Sequence, residues 1–200
     1  MEVEKTDIEG VFVITPTVYK DSRGYFYESF NEVEFQKKTG VAFYPVQDNQ
    51  SCSEQWVLRG LHFQREPYAQ AKLVRCVVGE VYDVAVDIRP ESETFGKYVA
   101  VRLSDENHKQ LFIPEGFAHG FLALSDKAVL QYKCNDLYHP EAEDGIAWDD
   151  KDININWPIE YAMWPITKGV YLSKKDTNRQ TLAEYVNKEE LNPPTWKERS

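Results

Sequence analysis

An all-β fold, a double-sheet jelly roll with a few short helices, is what this sequence predicts, on three observations. Short segments rich in β-branched and aromatic residues alternate apolar with polar side chains. Clusters of turn-forming residues separate them at close spacing. Only one stretch carries both a helix start signal and a stop signal. Many short strands with few helices suit a sandwich or barrel, and this spacing suits two packed sheets.

In chain order, strands are expected over 11–15 and over 25–30, the second after the turn Asp21-Ser22-Arg23-Gly24. The helix follows over 32–39, with Asn31 as its N-cap and Gly40 just past its end. LRGLHFQ, from Leu58 to Gln64, and QAKLVR, containing Lys72, read as neighbouring β-like segments. Further strands fall over 71–78, 81–88, 98–103, 110–113, 119–123 and 128–134. Gly79-Glu80, Arg89-Pro90, Ser104-Asp105-Glu106-Asn107 and Pro114-Glu115-Gly116 punctuate them. A second helix is expected near 181–188, and the tail beyond Leu191, NPPTWKERS, reads as irregular. Neither a repeat nor a low-complexity linker interrupts the chain. Its 200 residues are therefore expected to form one domain.

Charge and cysteine usage narrow the function. A formal charge of −10 argues against non-specific nucleic-acid binding and against an anionic membrane surface. It leaves room for a small anionic ligand held by a few gathered Arg and Lys. The cysteines Cys52, Cys76 and Cys134 are odd in number and scattered, with no CxxC, so neither a disulfide framework nor a zinc knuckle is expected. MEVEKTDIEG lacks the apolar core of a signal peptide, and no apolar run approaches the roughly 20 residues of a membrane span. A soluble, cytoplasmic protein is the expectation.

Alternation also assigns faces. In 81–88, Tyr82, Val84, Val86 and Ile88 share one face, while Asp83 and Asp87 point the other way with Val81 and Ala85. Lys72 shares a face with Val74, Cys76 and Val78, Tyr132 with Leu130 and Cys134, and His119 with Phe121 and Ala123. A strand-end lysine can simply snorkel to solvent. The competing reading is an apolar cavity carrying His62, Lys72, His119 and Tyr132. The histidines, at 62, 108, 119 and 139, never fall in HxH or HxxxH spacing, so no metal is expected. No GxSxG elbow and no phosphate-cradling glycine loop occurs. What remains is cofactor-free acid–base chemistry: His62 as base, Lys72 for an enolate oxygen, and Tyr132 as a proton donor whose ionised form the neighbouring cation would favour.

The chain resembles the dTDP-4-dehydrorhamnose 3,5-epimerase family, jelly-roll enzymes of the cupin type. The resemblance runs over about 10–184 and rests on DSRGYFYESF, PVQDNQS, LRGLHFQ, QAKLVR, GEVYDVAVDIR, SETFGKYV, FIPEGFAHGFLAL, QYKCNDLYHPEAEDGIAWDD and LSKKD in that order. It implies a catalytic set of His62 as base, Asp176 as the carboxylate that orients it, Lys72 beside the enolate, and Tyr132 as proton donor. It implies that Arg23, Glu28, Gln47, Asn49, Arg59, His119, Glu143 and Lys175 bind a nucleotide-sugar, with Tyr138 stacking on the thymine base. Arg23 with Glu28 could instead form a surface ion pair, and Glu143 lies in an acidic run that could be merely solvated. The implied activity is inversion of C3 and C5 in a dTDP-4-keto-6-deoxyhexose, without a cofactor, by a homodimer that exchanges N-terminal strands. Single-carbon epimerases and ketoisomerases share the scaffold, and a non-catalytic binding jelly roll is the rival of another class. The segment IEYAMWPITKGVY before LSKKD is longer than the family's usual connection, which leaves Lys168 and Lys175 both open as the ligand's lysine.

Overall fold

The protein is described by a computed structural model over residues 1–159 and 169–191. Its strands are β1 (Glu2–Lys5), β2 (Phe12–Thr15), β3 (Tyr19–Asp21), β4 (Gly24–Phe26), β5 (Gln47–Glu54), β6 (Leu58–Gln64) and β7 (Lys72–Val78). They continue as β8 (Glu80–Asp87), β9 (Tyr98–Ser104), β10 (Gln110–Ile113), β11 (Phe117–Ala123), β12 (Lys127–Cys134) and β13 (Glu143–Gly145). The helices are α1 (Glu32–Thr39) and α2 (Leu182–Leu191), and a 3₁₀ turn covers Asp176–Asn178.

A six-stranded antiparallel sheet runs β1-β2-β10-β7-β12-β5, and a five-stranded one β13-β6-β11-β8-β9. The two face each other across Val74, Cys76, Leu111, Ile113 and Leu130 from the first and Val81, Ala85, Leu103, Phe117 and Phe121 from the second. This is the expected all-β jelly roll. Each outer face is also covered. Phe35 of α1 and Phe43 pack on Phe12, Leu73 and Phe112, while Trp148, Ile153, Trp157, Leu182 and Tyr185 cover Leu61, Val84, Val86 and Leu122. Burial on both faces explains why β8 reads VYDVAVD, apolar in both registers.

The helix forms where its signals place it. Asn31 Oδ1 accepts from Glu34 N at 3.1 Å, acidic residues fill the first turn and lysines the last. Gly40 then takes the left-handed conformation (φ 76°) and closes the end through Gln36 O. The second helix starts with a reciprocal cap: Glu184 N donates to Thr181 Oγ1, and Thr181 N to Glu184 Oε2.

One expected strand is shorter, and the strands β1, β3, β5 and β13 fall where the sequence predicts none. Of 25–30 only Tyr25 and Phe26 are strand, because Asn31 must cap α1 and Phe30 turns inward onto Phe35 and Phe43. The N-terminal Glu2–Lys5 is a strand, added at the edge beside β2. Gln47–Glu54 is one too, although QDNQSCSE offers almost no apolar residue. Its half-buried and exposed positions do alternate, but the inward side chains are polar. Most of the segment before LSKKD, including Lys168, and the tail beyond Leu191 lie outside the described residues.

Candidate active site

Two strands carry the His62 side of the site, and glycines set their separation. Gly60 (φ 118°) lies so close to β11 that a Cβ on it would stand 2.5 Å from the Gly120 Cα. The register then shifts at a bulge, and His62 of β6 comes to sit directly across from His119 of β11. Behind His62, Asp176 enters on the 3₁₀ turn, 4% exposed, with Oδ1 at 2.5 Å from His62 Nε2. Ser173 Oγ donates to the other oxygen at 2.8 Å. Burial pushes the Asp176 carboxyl up, but the His62 hydrogen bond and charge, with Ser173 and Arg179, hold it below the usual carboxylate range. An ionised Asp176 accepts a hydrogen bond from Nε2–H, which leaves Nδ1 of His62 as the nitrogen able to accept a proton.

The opposite wall belongs to the six-stranded sheet. Lys72 and Cys134 face each other in register, and the Lys72 ammonium lies 6.0 Å from the Tyr132 ring centre. Burial pushes Lys72 down, opposed by Cys134, Asp83 and Glu143. Burial also pushes the Tyr132 phenol up. Here the sequence expectation fails: removal from water outweighs any help that a nearby cation gives the phenolate, so Tyr132 is held as a neutral phenol with its proton in place. Among the described residues, neither the Lys72 ammonium nor the Tyr132 hydroxyl has a hydrogen-bond partner.

Between the walls lies a cleft of about 330 Å³. Of the predicted site residues, His62, Lys72, Tyr132, Gln47, Asn49, Arg59, His119, Tyr138 and Glu143 all line it. Asp176 stands behind His62, and Lys175 is ion-paired with Glu143 at the rim. The solvated reading of Glu143 is overturned: it also accepts from the Tyr138 hydroxyl at 2.5 Å and from Arg179 Nη2 at 3.1 Å. Burial would raise its carboxyl, but these partners bring it down to about 2. Arg23 and Glu28 are not brought to this cleft. Arg23 pairs with Asp21 at 2.5 Å on the exposed β3–β4 hairpin, and Glu28 accepts from Asn31, so they do not pair with each other either.

Sequence reasoning missed several members. Asp83 is fully buried on the inward face of β8, both oxygens 3.0–3.1 Å from His119 Nε2. An aspartate amid Val81, Val84 and Ala85 was the available signal. Gln64 ties down the loop before β13, donating to Tyr68 O and Leu137 O and accepting from His139 N. Ser51 and Gln70 also line the cleft. Arg179 had no sequence signal at all. No group of three His, Cys, Asp or Glu that could hold a metal ion occurs among the described residues.

Comparison with known proteins identifies the chain's relatives. The model of the dTDP-4-dehydrorhamnose 3,5-epimerase family matches residues 5–184. The dTDP-4-dehydrorhamnose 3,5-epimerase of Methanothermobacter thermautotrophicus is 54% identical over 180 residues, covering 90% of this chain and 94% of its own. The crystal structure of a Legionella pneumophila dTDP-6-deoxy-D-glucose-3,5-epimerase in complex with dTDP-4-keto-L-rhamnose superposes with a TM-score of 0.87 at 44% identity, covering 98% of this chain and 99% of that one. A 3′-monoepimerase from Streptomyces bikiniensis in complex with dTDP-quinovose gives 0.81 at 34% identity, covering 91% and 89%.

Proposed function

The chain belongs to the dTDP-4-dehydrorhamnose 3,5-epimerase family, and from that premise we propose that it inverts C3 and C5 of dTDP-4-dehydro-6-deoxy-D-glucose to give dTDP-4-dehydro-L-rhamnose, for dTDP-L-rhamnose synthesis. The observation that carries this reading is the opposition of a carboxylate-held histidine on one wall to a neutral, half-buried tyrosine on the other. Epimerisation needs a proton removed from one face of a carbon and another returned to the opposite face.

Each half-reaction then follows. His62 Nδ1 takes the proton from the carbon beside the C4 ketone. The C–H electron pair forms the new C=C bond, and the carbonyl pair moves onto oxygen. Lys72 stands on the wall where that enolate oxygen needs a positive charge. Tyr132 returns a proton to the carbon as the enolate collapses to the ketone, and solvent restores the phenol. His62 loses its proton to solvent, and the cycle repeats at the second carbon. Arg59, with Nε on Ser53 Oγ at 3.0 Å, is anchored at the cleft mouth to meet the pyrophosphate, and Tyr138 offers a half-exposed ring to the thymine.

The same reading makes the protein a homodimer. Arg23 and Glu28 lie away from their own cleft, beside exposed Tyr19, Tyr25 and Phe26, and they would serve the cleft of a second copy. The free thiols Cys52, Cys76 and Cys134 fit the reducing cytoplasm, where we place the enzyme.

The test is NMR of dTDP-4-keto-6-deoxyglucose with this protein in deuterated water. Loss of both H3 and H5 with inversion supports the reading. Loss of one alone makes the protein a single-carbon enzyme, as the Streptomyces relative is named. Loss of neither makes it a binding protein.

A further inference from the structure

Arg179 follows the 3₁₀ turn, and its side chain is only 9% exposed. At one end, Nη2 donates to Glu143 Oε1. At the other, Nε stands 3.8 Å from Asp176 Oδ1 and makes no hydrogen bond. That oxygen is the one engaged with His62 Nε2. The guanidinium crosses between them over Gly145, where a Cβ would come within 2.9 Å of Nε and 3.0 Å of Cδ. One line of charge therefore runs from His62 through Asp176, Arg179 and Glu143 to the Tyr138 hydroxyl, with Lys175 on the same Glu143 oxygen as Arg179.

A buried guanidinium loses its hydration and persists only where carboxylates compensate it. Here two do, and they belong to different parts of the site. Glu143 faces the ligand cleft, whereas Asp176 stands behind the base. Resting on the reading of His62 as base, we propose that Arg179 is a positioning residue that couples the two. It holds Glu143, and through it the Tyr138 ring, in place. It also competes with the protonated His62 for one Asp176 oxygen, so that the imidazolium is held loosely enough to release its proton after each transfer. The charged and titratable groups facing Arg179 are Asp176 and His62 on the base side, Glu143 and Tyr138 on the cleft side, and Lys175 beside Glu143.

The experiment measures kcat and KM against pH for the wild type, Arg179→Gln and Arg179→Lys, alongside dTDP affinity and thermal unfolding. Without the competing cation, Asp176 favours the imidazolium more strongly. In Arg179→Gln the acid limb of kcat should move to higher pH by about one unit, and KM should rise with weaker dTDP binding. Arg179→Lys should return the acid limb to its original place yet leave KM raised, because a single ammonium cannot span both carboxylates. A glutamine variant that is less stable, yet keeps the wild-type acid limb and KM per active site, overturns the proposal. So does a lysine variant with wild-type KM, which decides the matter even if the glutamine variant fails to fold. A wild type without any deuterium exchange would instead overturn the assignment of His62 as base.

Discussion

The two walls of the cleft are built on opposite electrostatic plans. On the five-stranded sheet, both histidines arrive paired with buried carboxylates, His62 with Asp176 and His119 with Asp83. On the six-stranded sheet, Lys72 and Tyr132 are pushed by burial towards their neutral forms and, among the described residues, have no hydrogen-bond partner. The paired wall has its histidines oriented before any ligand arrives, which suits the base that we propose His62 to be, because a base needs its tautomer and orientation fixed in advance. The unpaired wall keeps its donors for the ligand. On the proposed reading, a sugar oxygen that acquires charge supplies what Lys72 lacks, and a carbanion-like carbon is the acceptor for which the Tyr132 proton is kept. Reaction from two faces needs this division, because two prepared bases, or two waiting acids, could exchange protons without inverting a carbon.

The paired wall is broken most severely at His62. His62→Asn should slow deuterium exchange at both carbons by about 10³-fold, while dTDP still binds through Arg59 and Tyr138. Normal exchange in that variant would remove the base from this wall altogether. Asp176→Asn keeps the shape but offers an amide where the imidazolium needs a charge, and exchange should fall on the order of 10²-fold. Rates near wild type would mean that the 2.5 Å contact is structural only.

The unpaired wall should respond differently. Tyr132→Phe removes one hydroxyl from a half-buried ring, and exchange through His62 should change by less than about tenfold. Inversion at one or both carbons should nevertheless be lost, which NMR of the recovered sugar reads directly. Full epimerisation would pass the proton donor's role to water or another side chain. A smaller effect belongs to the rim between the walls. Glu143 has its carboxyl held at about 2, against an ordinary 4.5. Its contribution to stability is complete above the unfolded value and is lost as pH falls through the folded one. Urea midpoints for wild type and Glu143→Gln should therefore converge between roughly pH 4.5 and 2, and parallel curves would contradict the depressed value. The smallest expected effect is none: dialysis against a strong chelator should leave turnover unchanged, and metal-dependent recovery of lost activity would overturn the mechanism.

How legible each wall was follows from what its strands are made of. β7, β8, β11 and β12 carry ordinary β-branched and aromatic alternation, so their faces could be assigned, and Lys72, His119 and Tyr132 stood out as polar residues on apolar faces. β5 gave no such contrast. Its inward residues Gln47, Asn49 and Ser51 line the cleft, so function removed the hydrophobic period by which a strand is read. The resemblance to a family supplied Gln47 and Asn49, and no periodicity argument could have done so. Tyr132 shows the limit of reasoning from neighbours alone. Charge proximity predicted an eased ionisation, but the surrounding protein removes the phenol from water, and that effect is larger.

By itself the sequence determined the elements whose information is local. Capping residues Asn31 and Gly40 bound a helix wherever the chain goes, and alternation fixes which side chains share a face of a strand. It also determined the chemistry available, one histidine and one lysine on adjacent segments with a tyrosine to answer them. Only the tertiary structure decided which groups meet. Asp176 reaches His62 across 114 positions, Asp83 reaches His119 across 36, and Arg179 finds both Glu143 and Asp176 because Gly145 leaves a path. Such contacts have no signature in spacing, since they form only when strands and turns far apart in the chain pack together. The pKa values are likewise tertiary, because burial and distant charge, not residue identity, decide which form each group holds.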